Sequence, residues 1–201
     1  MENTETNGTG QDAQKTRNLI EGMLRSVNRP GMDKVIKYLA DSDFYTAPAS
    51  AVFQFHNCCD GGLADHSWKV YQMMCELNSY IPPEKQFHPE SLVIVGLLHD
   101  VCKIGIYKPN ILATKKRSDE KPWKFEDPFS LGHGEKSLAI LLGLGLEMSP
   151  QEQNGCRWHM CPFDNVPYSK SSSSWGNLAV LCFLADYFSS KFLEFIQEAQ
   201  K

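Results

Sequence analysis

The stretch Glu90-Ser91-Leu92-Val93-Ile94-Val95-Gly96-Leu97-Leu98-His99-Asp100-Val101-Cys102 decides the reading of the chain, because an apolar run ends on two polar side chains. At helical spacing His99 follows Leu92, Val95 and Gly96 on one face, and Asp100 lies one step round, beside Gly96 and Leu97. The preceding His88-Pro89 suits a helix opened by a first-turn proline, so the spacing predicts one helix from Glu90 to Cys102. An ionised carboxylate turned toward a core is strongly penalised unless it is paired or bound to a cation. Asp100 therefore predicts a compensating partner brought in from elsewhere in the chain.

Working outward, Leu63 to Tyr80 forms a second strong helical pattern, in which His66 shares a face with Val70, Met73 and Leu77. A last helix, expected from Asn177 to Gln197, places Asp186 with Ala179, Cys182 and Phe183 and poses the same problem of a buried acid. Further amphipathic segments carry Leu19, Ile20, Met23 and Leu24, then Val35, Ile36, Tyr38 and Leu39. Helical spacing also runs from His133 to Leu146 and from Pro150 to Met160, and Ser171 to Ser174 reads as a loop. Between Lys108 and Leu131 the pattern gives way to Pro, Asn, Lys and Asp, with an alternation in Trp123-Lys124-Phe125-Glu126 that suits a short hairpin. This excursion is expected to lie over the site and to set specificity. Residues 1–14 are polar and without apolar periodicity, so a flexible N-terminal tail is expected ahead of a single domain over 15–201. The predicted class is all-α: a compact helical bundle with a small β-hairpin or loop excursion.

Composition narrows the function classes. A formal charge of -4 and a pI near 5.9 give no long-range positive field, so stable nucleic-acid binding is not expected. The basic run Lys115-Lys116-Arg117 is followed by Asp119-Glu120-Lys121 and reads as a solvated loop. Seven cysteines, at 58, 59, 75, 102, 156, 161 and 182, lack a framework spacing and fit reduced thiols in a cytoplasmic protein. The opening has no secretory pattern, and the apolar run Leu92 to Leu98 is too short to cross a bilayer.

Neutral imidazole together with carboxylate suits borderline divalent ions, namely iron, manganese, cobalt, nickel or zinc, better than calcium. The segments Gly61-Gly62-Leu63-Ala64-Asp65-His66, Leu97-Leu98-His99-Asp100-Val101-Cys102-Lys103 and Ala185-Asp186 resemble the H…HD…D signature of the HD-domain metal-dependent phosphohydrolase superfamily. Within it, Leu131-Gly132-His133-Gly134-Glu135-Lys136-Ser137 and Arg157-Trp158-His159-Met160 are similar to a branch related to the HD domain of certain bacterial 3′-5′ exoribonucleases. The resemblance covers roughly His56 to Ser190. It implies a helical HD domain that binds one or two divalent ions and hydrolyses phosphomonoesters or phosphodiesters, often of nucleotides. Carried over, His66, His99, Asp100 and Asp186 hold the first ion, His133 and His159 supply a second, and Asp100 bridges the two. The branch usually has consecutive histidines where this chain has His159-Met160, which implies a weaker second ion or a single one.

Such an ion, magnesium included, activates water near neutral pH and polarises a phosphoryl oxygen. Asp100 and Lys103 are the candidate catalytic residues. His56, Lys136 and Arg157 are candidates for binding the substrate phosphate. The bland alternatives are a metal-free buried polar network for the four ligands, an idle helix-start residue at His133 and a packed core histidine at His159. Lys103 could equally snorkel from its helix end, and Arg157 could pair with a nearby acid. His88 reads as a surface residue, a zinc clip at His56-Asn57-Cys58-Cys59 lacks the usual spacing, and His133-Gly134-Glu135 lacks the P-C-x-x-C that would complete a zinc deaminase site. The expected ligand is a small phosphorylated molecule of nucleotide type, with a non-catalytic nucleotide-sensing module as the alternative.

Overall fold

The computed structural model describes residues 8–52, 56–160, 163 and 175–194. Seven α-helices are described: α1 (Gly8–Arg25), α2 (Met32–Asp41), α3 (Gly62–Ser79), α4 (Pro89–Leu98), α5 (His133–Gly143), α6 (Pro150–Arg157) and α7 (Asn177–Phe188). The described strands are β1 (Tyr107–Pro109) and β2 (Trp123–Phe125), an antiparallel pair. The fold is thus mostly helical, as the periodicity predicts. Among the described residues no helix is long and apolar enough to cross a membrane.

α4 is the axis of the molecule. Leu92 through Asp100 are all buried, and a helix that is apolar all round must be covered on every side. α3 packs along it, α6 and α1 also touch it, and α7 lies against both α3 and α6. Gly96 allows the approach of α3, since a Cβ there would stand 2.8 Å from Tyr71 Cα. Each fully buried Leu, Ile or Val contributes about 1.5–3 kcal/mol relative to an exposed one, so this layer supplies much of the driving force for folding.

Local signals set the helix starts. His88 caps α4, its Nδ1 accepting the Glu90 N–H at 3.3 Å, with Pro89 as the first helical residue. His88 is exposed, as the sequence reading expects, and also has this structural task. Ser149 and Glu152 form a capping box at α6, and Glu152, fully buried, also accepts from Ser91 Oγ at 2.6 Å and pairs with Arg29 at 3.3 Å.

Several boundaries differ from the sequence expectation. α1 begins at Gly8, inside the stretch 1–14 expected to be a tail; residues 1–7 lie outside the described residues. Residues 12–15 are exposed, so this turn is held by propagation from the packed turns at Ile20 and Leu24 and by pairs such as Gln14 to Asn18 (2.9 Å), not by burial. α4 ends at Leu98 instead of continuing to Cys102: Asp100 has φ -107° and ψ 16°, and a 3₁₀ turn follows over Val101–Lys103. The sequence hides this break because Val101 and Cys102 are themselves buried, and apolar spacing alone cannot tell a helix from a buried turn. α5 stops before Gly145, whose φ of 83° suits a glycine helix end, and α6 stops at Arg157, leaving His159 in the turn beyond it. α7 changes to a wider π turn over Ser189–Leu193 and ends there, Glu194 being extended (φ -107°, ψ 154°); residues 195–197 of the expected helix, and the loop Ser171–Ser174, lie outside the described residues.

β2 falls within the predicted alternation, and its partner β1 opens the excursion at Tyr107. Arg117 of the basic run pairs with Asp60 at 3.1 Å and covers the Trp123 ring at 4.4 Å, so it pins the excursion to the body. Cys58, Cys59, Cys75, Cys102 and Cys156 form no disulfide; Cys161 lies outside the described residues.

Gly134, in the first turn of α5, packs so closely on α6 that a Cβ would overlap the Arg157 carbonyl oxygen, whereas Gly22 in α1 faces open space. Gly134→Ala is expected to destabilise the protein by about 1–3 kcal/mol, and Gly22→Ala to stabilise it by about 0.5–1 kcal/mol. Urea unfolding of the two variants beside wild type checks both signs.

Candidate metal centre

The break at the end of α4 turns two consecutive side chains into one buried cluster. His99 is fully buried and Asp100 is 2% exposed. His66 arrives from the first turns of α3, Asp186 from α7, His133 from the first position of α5, and His159 from the turn after α6. The six residues singled out as metal ligands are therefore brought together by five separate segments.

Asp100 organises them through its two oxygens. Oδ2 faces His66 Nε2 at 3.3 Å and His99 Nε2 at 3.6 Å, and it accepts from Lys103 Nζ at 2.7 Å. Asp186 Oδ1 adds a contact to His66 Nε2 at 3.4 Å, and the two Nε2 atoms of His66 and His99 face each other at 3.3 Å. Oδ1 faces the other way, toward His133 Nε2 at 2.6 Å and His159 Nε2 at 3.6 Å. Two sets of donors thus share one carboxylate, one oxygen each.

Three of the imidazoles are anchored from behind. His66 Nδ1 lies 2.7 Å from Glu194 Oε1, His99 Nδ1 3.0 Å from the Gly96 carbonyl, and His159 Nδ1 2.7 Å from the Cys156 carbonyl. An oxygen behind Nδ1 accepts its hydrogen and leaves the Nε2 lone pair pointing inward, the arrangement that orients histidines on a metal ion. His159 Nε2 is buried and has no hydrogen-bond partner among the described residues, although such a group ordinarily finds one. On an ion with bonds of about 2.0–2.2 Å, neighbouring ligands stand roughly 3–3.6 Å apart. The His66, His99 and His159 spacings to Asp100 fall in that range, His133 at 2.6 Å is hydrogen-bonded to it directly, and the His and Asp groups can hold a metal ion. The metal-free buried network offered as the alternative leaves the orphaned His159 nitrogen unexplained.

The electrostatics follow from this crowding. Burial alone would raise the Asp100 pKa, but Lys103, His99 and His133 outweigh it and hold it well below the usual carboxylate range. Asp186, half-buried, is pushed up by loss of water and then by the Asp100 charge. Burial opposes protonation of His66, yet Glu194, Asp100 and Asp186 prevail and raise it to about 10. His133 likewise rises to about 10, with Cys102 and Asp100 overcoming burial. His99 is driven well below its ordinary value by burial, then by His159, His66 and Lys103. The cluster is a cage of negative charge that draws protons onto two of its ligands when nothing else supplies the positive charge.

The remaining candidates divide. Lys103, in the turn after Asp100, is nearly buried and bound to it; the snorkelling alternative does not apply. His56 stacks on His66 with ring centroids 4.8 Å apart, and burial lowers its pKa to about 3. Lys136 is paired with Asp127 at 2.6 Å, which ties the loop after β2 to α5. Arg157 pairs with Glu135 and lies over the Trp158 ring at 3.9 Å, as the alternative for it anticipated. Two residues of the cluster were missed: Glu194, which anchors His66, and Cys102, whose Sγ lies 3.5 Å from His133 Nδ1. Glu194 follows Asp186 by eight positions on a segment predicted helical, a spacing that repeats one face and could have flagged it. Nothing in the sequence pattern separates Cys102 from an ordinary buried thiol.

No family model, no curated protein and no solved structure matches this chain.

For the metal-free protein a pH dependence follows. His66 and His133 bind a proton more tightly folded (about 10) than in an unfolded chain, where histidine titrates at about 6.5. Their stabilisation is complete below pH of about 6.5 and is lost as pH rises through about 10. Unfolding free energy in chelator is expected to fall across that window, and Glu194→Gln, which removes the charge behind His66, is expected to flatten the fall. Urea titrations at a series of pH values measure it; identical slopes for the two proteins would refute the assignment.

Proposed function

We propose that this protein is a divalent-metal phosphohydrolase that cleaves a phosphate ester of a nucleotide or short oligonucleotide. The observation that supports the reading most is the division of Asp100, with one oxygen toward His66 and His99, where Asp186 also reaches His66 at 3.4 Å, and the other toward His133 and His159. A bridging carboxylate between two nitrogen-rich sets is the donor arrangement for one or two borderline ions, and the order of these residues is the H…HD…D pattern that the sequence resembles.

His66, His99, Asp100 Oδ2 and Asp186 would hold one ion, and Asp100 Oδ1, His133 and His159 a second. Ions held there lower the pKa of water and polarise a phosphoryl oxygen. The chain's own residues do the rest. Glu194 fixes the His66 ring so that its Nε2 faces the reacting centre. Lys103 keeps a cation beside Asp100; its pKa is raised, burial being outweighed by the Asp100 charge, so the ammonium persists at neutral pH to offset phosphoryl charge. His133, whose side chain is 35% exposed, marks the open side of the cluster, where a small substrate would enter. The acidic net charge of the chain favours such a small ligand over a polymer held by a broad basic face.

One observation favours a second reading. Lys103 Nζ at 2.7 Å satisfies Asp100 Oδ2 without any ion, as would suit a non-catalytic nucleotide-sensing module. Elemental analysis and turnover separate the two. We expect near two divalent equivalents in wild type, about one in His133→Ala and almost none in Asp100→Ala. For Asp100→Ala, kcat/KM on a chromogenic phosphodiester and a nucleotide panel should drop by at least about 10³-fold, or roughly 4 kcal/mol. Bound metal with no turnover of any phosphate ester would favour the sensing module; turnover unchanged in a metal-free Asp100→Ala would overturn the mechanism.

A further inference from the structure

Cys102 stands two residues after Asp100, in the 3₁₀ turn that follows the break in α4, and it is 2% exposed. The turn folds its thiol back over the cluster, while its N–H donates to Ser137 Oγ at 3.2 Å and fixes the backbone against α5. Its Sγ lies 3.5 Å from His133 Nδ1, 3.6 Å from His133 Nε2 and 4.0 Å from Asp100 Oδ1. Across the same oxygen stands His159, fully buried, with Nε2 lacking a hydrogen-bond partner among the described residues and 3.6 Å from Asp100 Oδ1. A sulfur and two imidazoles therefore surround one carboxylate oxygen.

Around a tetrahedral ion with bonds of about 2.0–2.1 Å to nitrogen or oxygen and 2.3 Å to sulfur, donors sit roughly 3.3–3.8 Å apart. The Cys102–His133 and His159–Asp100 separations match, the Cys102–Asp100 separation is slightly long, and the His133–Asp100 contact at 2.6 Å is a direct hydrogen bond that an ion between the two would open. Charge favours it as well: with Asp100 shared between two ions and both imidazoles neutral, a thiolate supplies the negative charge that this half otherwise lacks. The half built on His66, His99 and Asp186 has no comparable sulfur among its described contacts.

We propose that Cys102 is a thiolate ligand of the ion on Asp100 Oδ1, completing a Cys-His-His-Asp set with His133 and His159. This half of the centre accordingly selects zinc, cobalt(II) or iron(II) over magnesium, which prefers oxygen donors. The inference rests on the metal-centre reading above and extends it to a ligand and a class of ion. On coordination the thiol gives up its proton to solvent.

Cobalt(II) titrated into the metal-free, full-length protein reports on sulfur directly. The expected result is a near-ultraviolet thiolate-to-cobalt charge-transfer band that excess magnesium does not remove. Cys102→Ser should abolish the band and lower bound cobalt by no more than one equivalent. Zinc-edge X-ray absorption of wild type gives the same answer without a variant, through a sulfur scatterer at about 2.3 Å. Cobalt or zinc bound with nitrogen and oxygen neighbours only, or a band that survives Cys102→Ser, would overturn the thiolate while leaving the two-ion centre in place. Failure to bind any cobalt or zinc would overturn both.

Discussion

A carboxylate taken almost wholly out of water must be compensated at each oxygen, and Asp100 meets that condition with residues from four segments of the chain. Lys103 and the rings of His66 and His99 address one oxygen; His133 and His159 address the other. Those partners are far apart in sequence, so the cluster can exist only when α3, α4, α5, α6 and α7 have all docked. The site and the fold are in this sense one constraint. α4 is buried on every face because it must deliver Asp100 to the centre, and the helix ends at Leu98 so that Asp100 and Lys103 can meet.

Behind the first ring of side chains stands a second. Glu194, the Gly96 carbonyl and the Cys156 carbonyl each take the rear nitrogen of a histidine, and these contacts orient the inward lone pairs. The cost is stored in displaced pKa values: a depressed Asp100, a raised Asp186, and two histidines that hold protons to about pH 10. A divalent ion would relieve that imbalance by taking the place of the protons, which couples metal affinity to pH.

Much of this was legible before any coordinates. Polar residues on apolar helical faces gave away His66, His99, Asp100 and Asp186, because a buried charge needs a reason to be there. The helices and the hairpin followed from period and from punctuation by proline and glycine. What stayed hidden is equally physical. The kink at Asp100 is set by tertiary contacts and is masked by the buried Val101 and Cys102 on its far side. Cys102 carries no local signal of its role, since it reads as an ordinary small apolar residue, and Glu194 offers only its spacing from Asp186. Lys136 and Arg157, chosen for their charge, turn out to be matched by Asp127 and Glu135, neighbours that only the fold brings near.

The central claim is that Asp100 bridges two cation sites through separate oxygens. Anomalous diffraction from crystals grown with manganese and with zinc tests it most directly. The account predicts two anomalous peaks flanking Asp100, one beside Oδ2 among His66, His99 and Asp186, the other beside Oδ1 among His133 and His159. An Asp100 carboxylate with no peak on either oxygen, held only by Lys103 and the histidines, would contradict it.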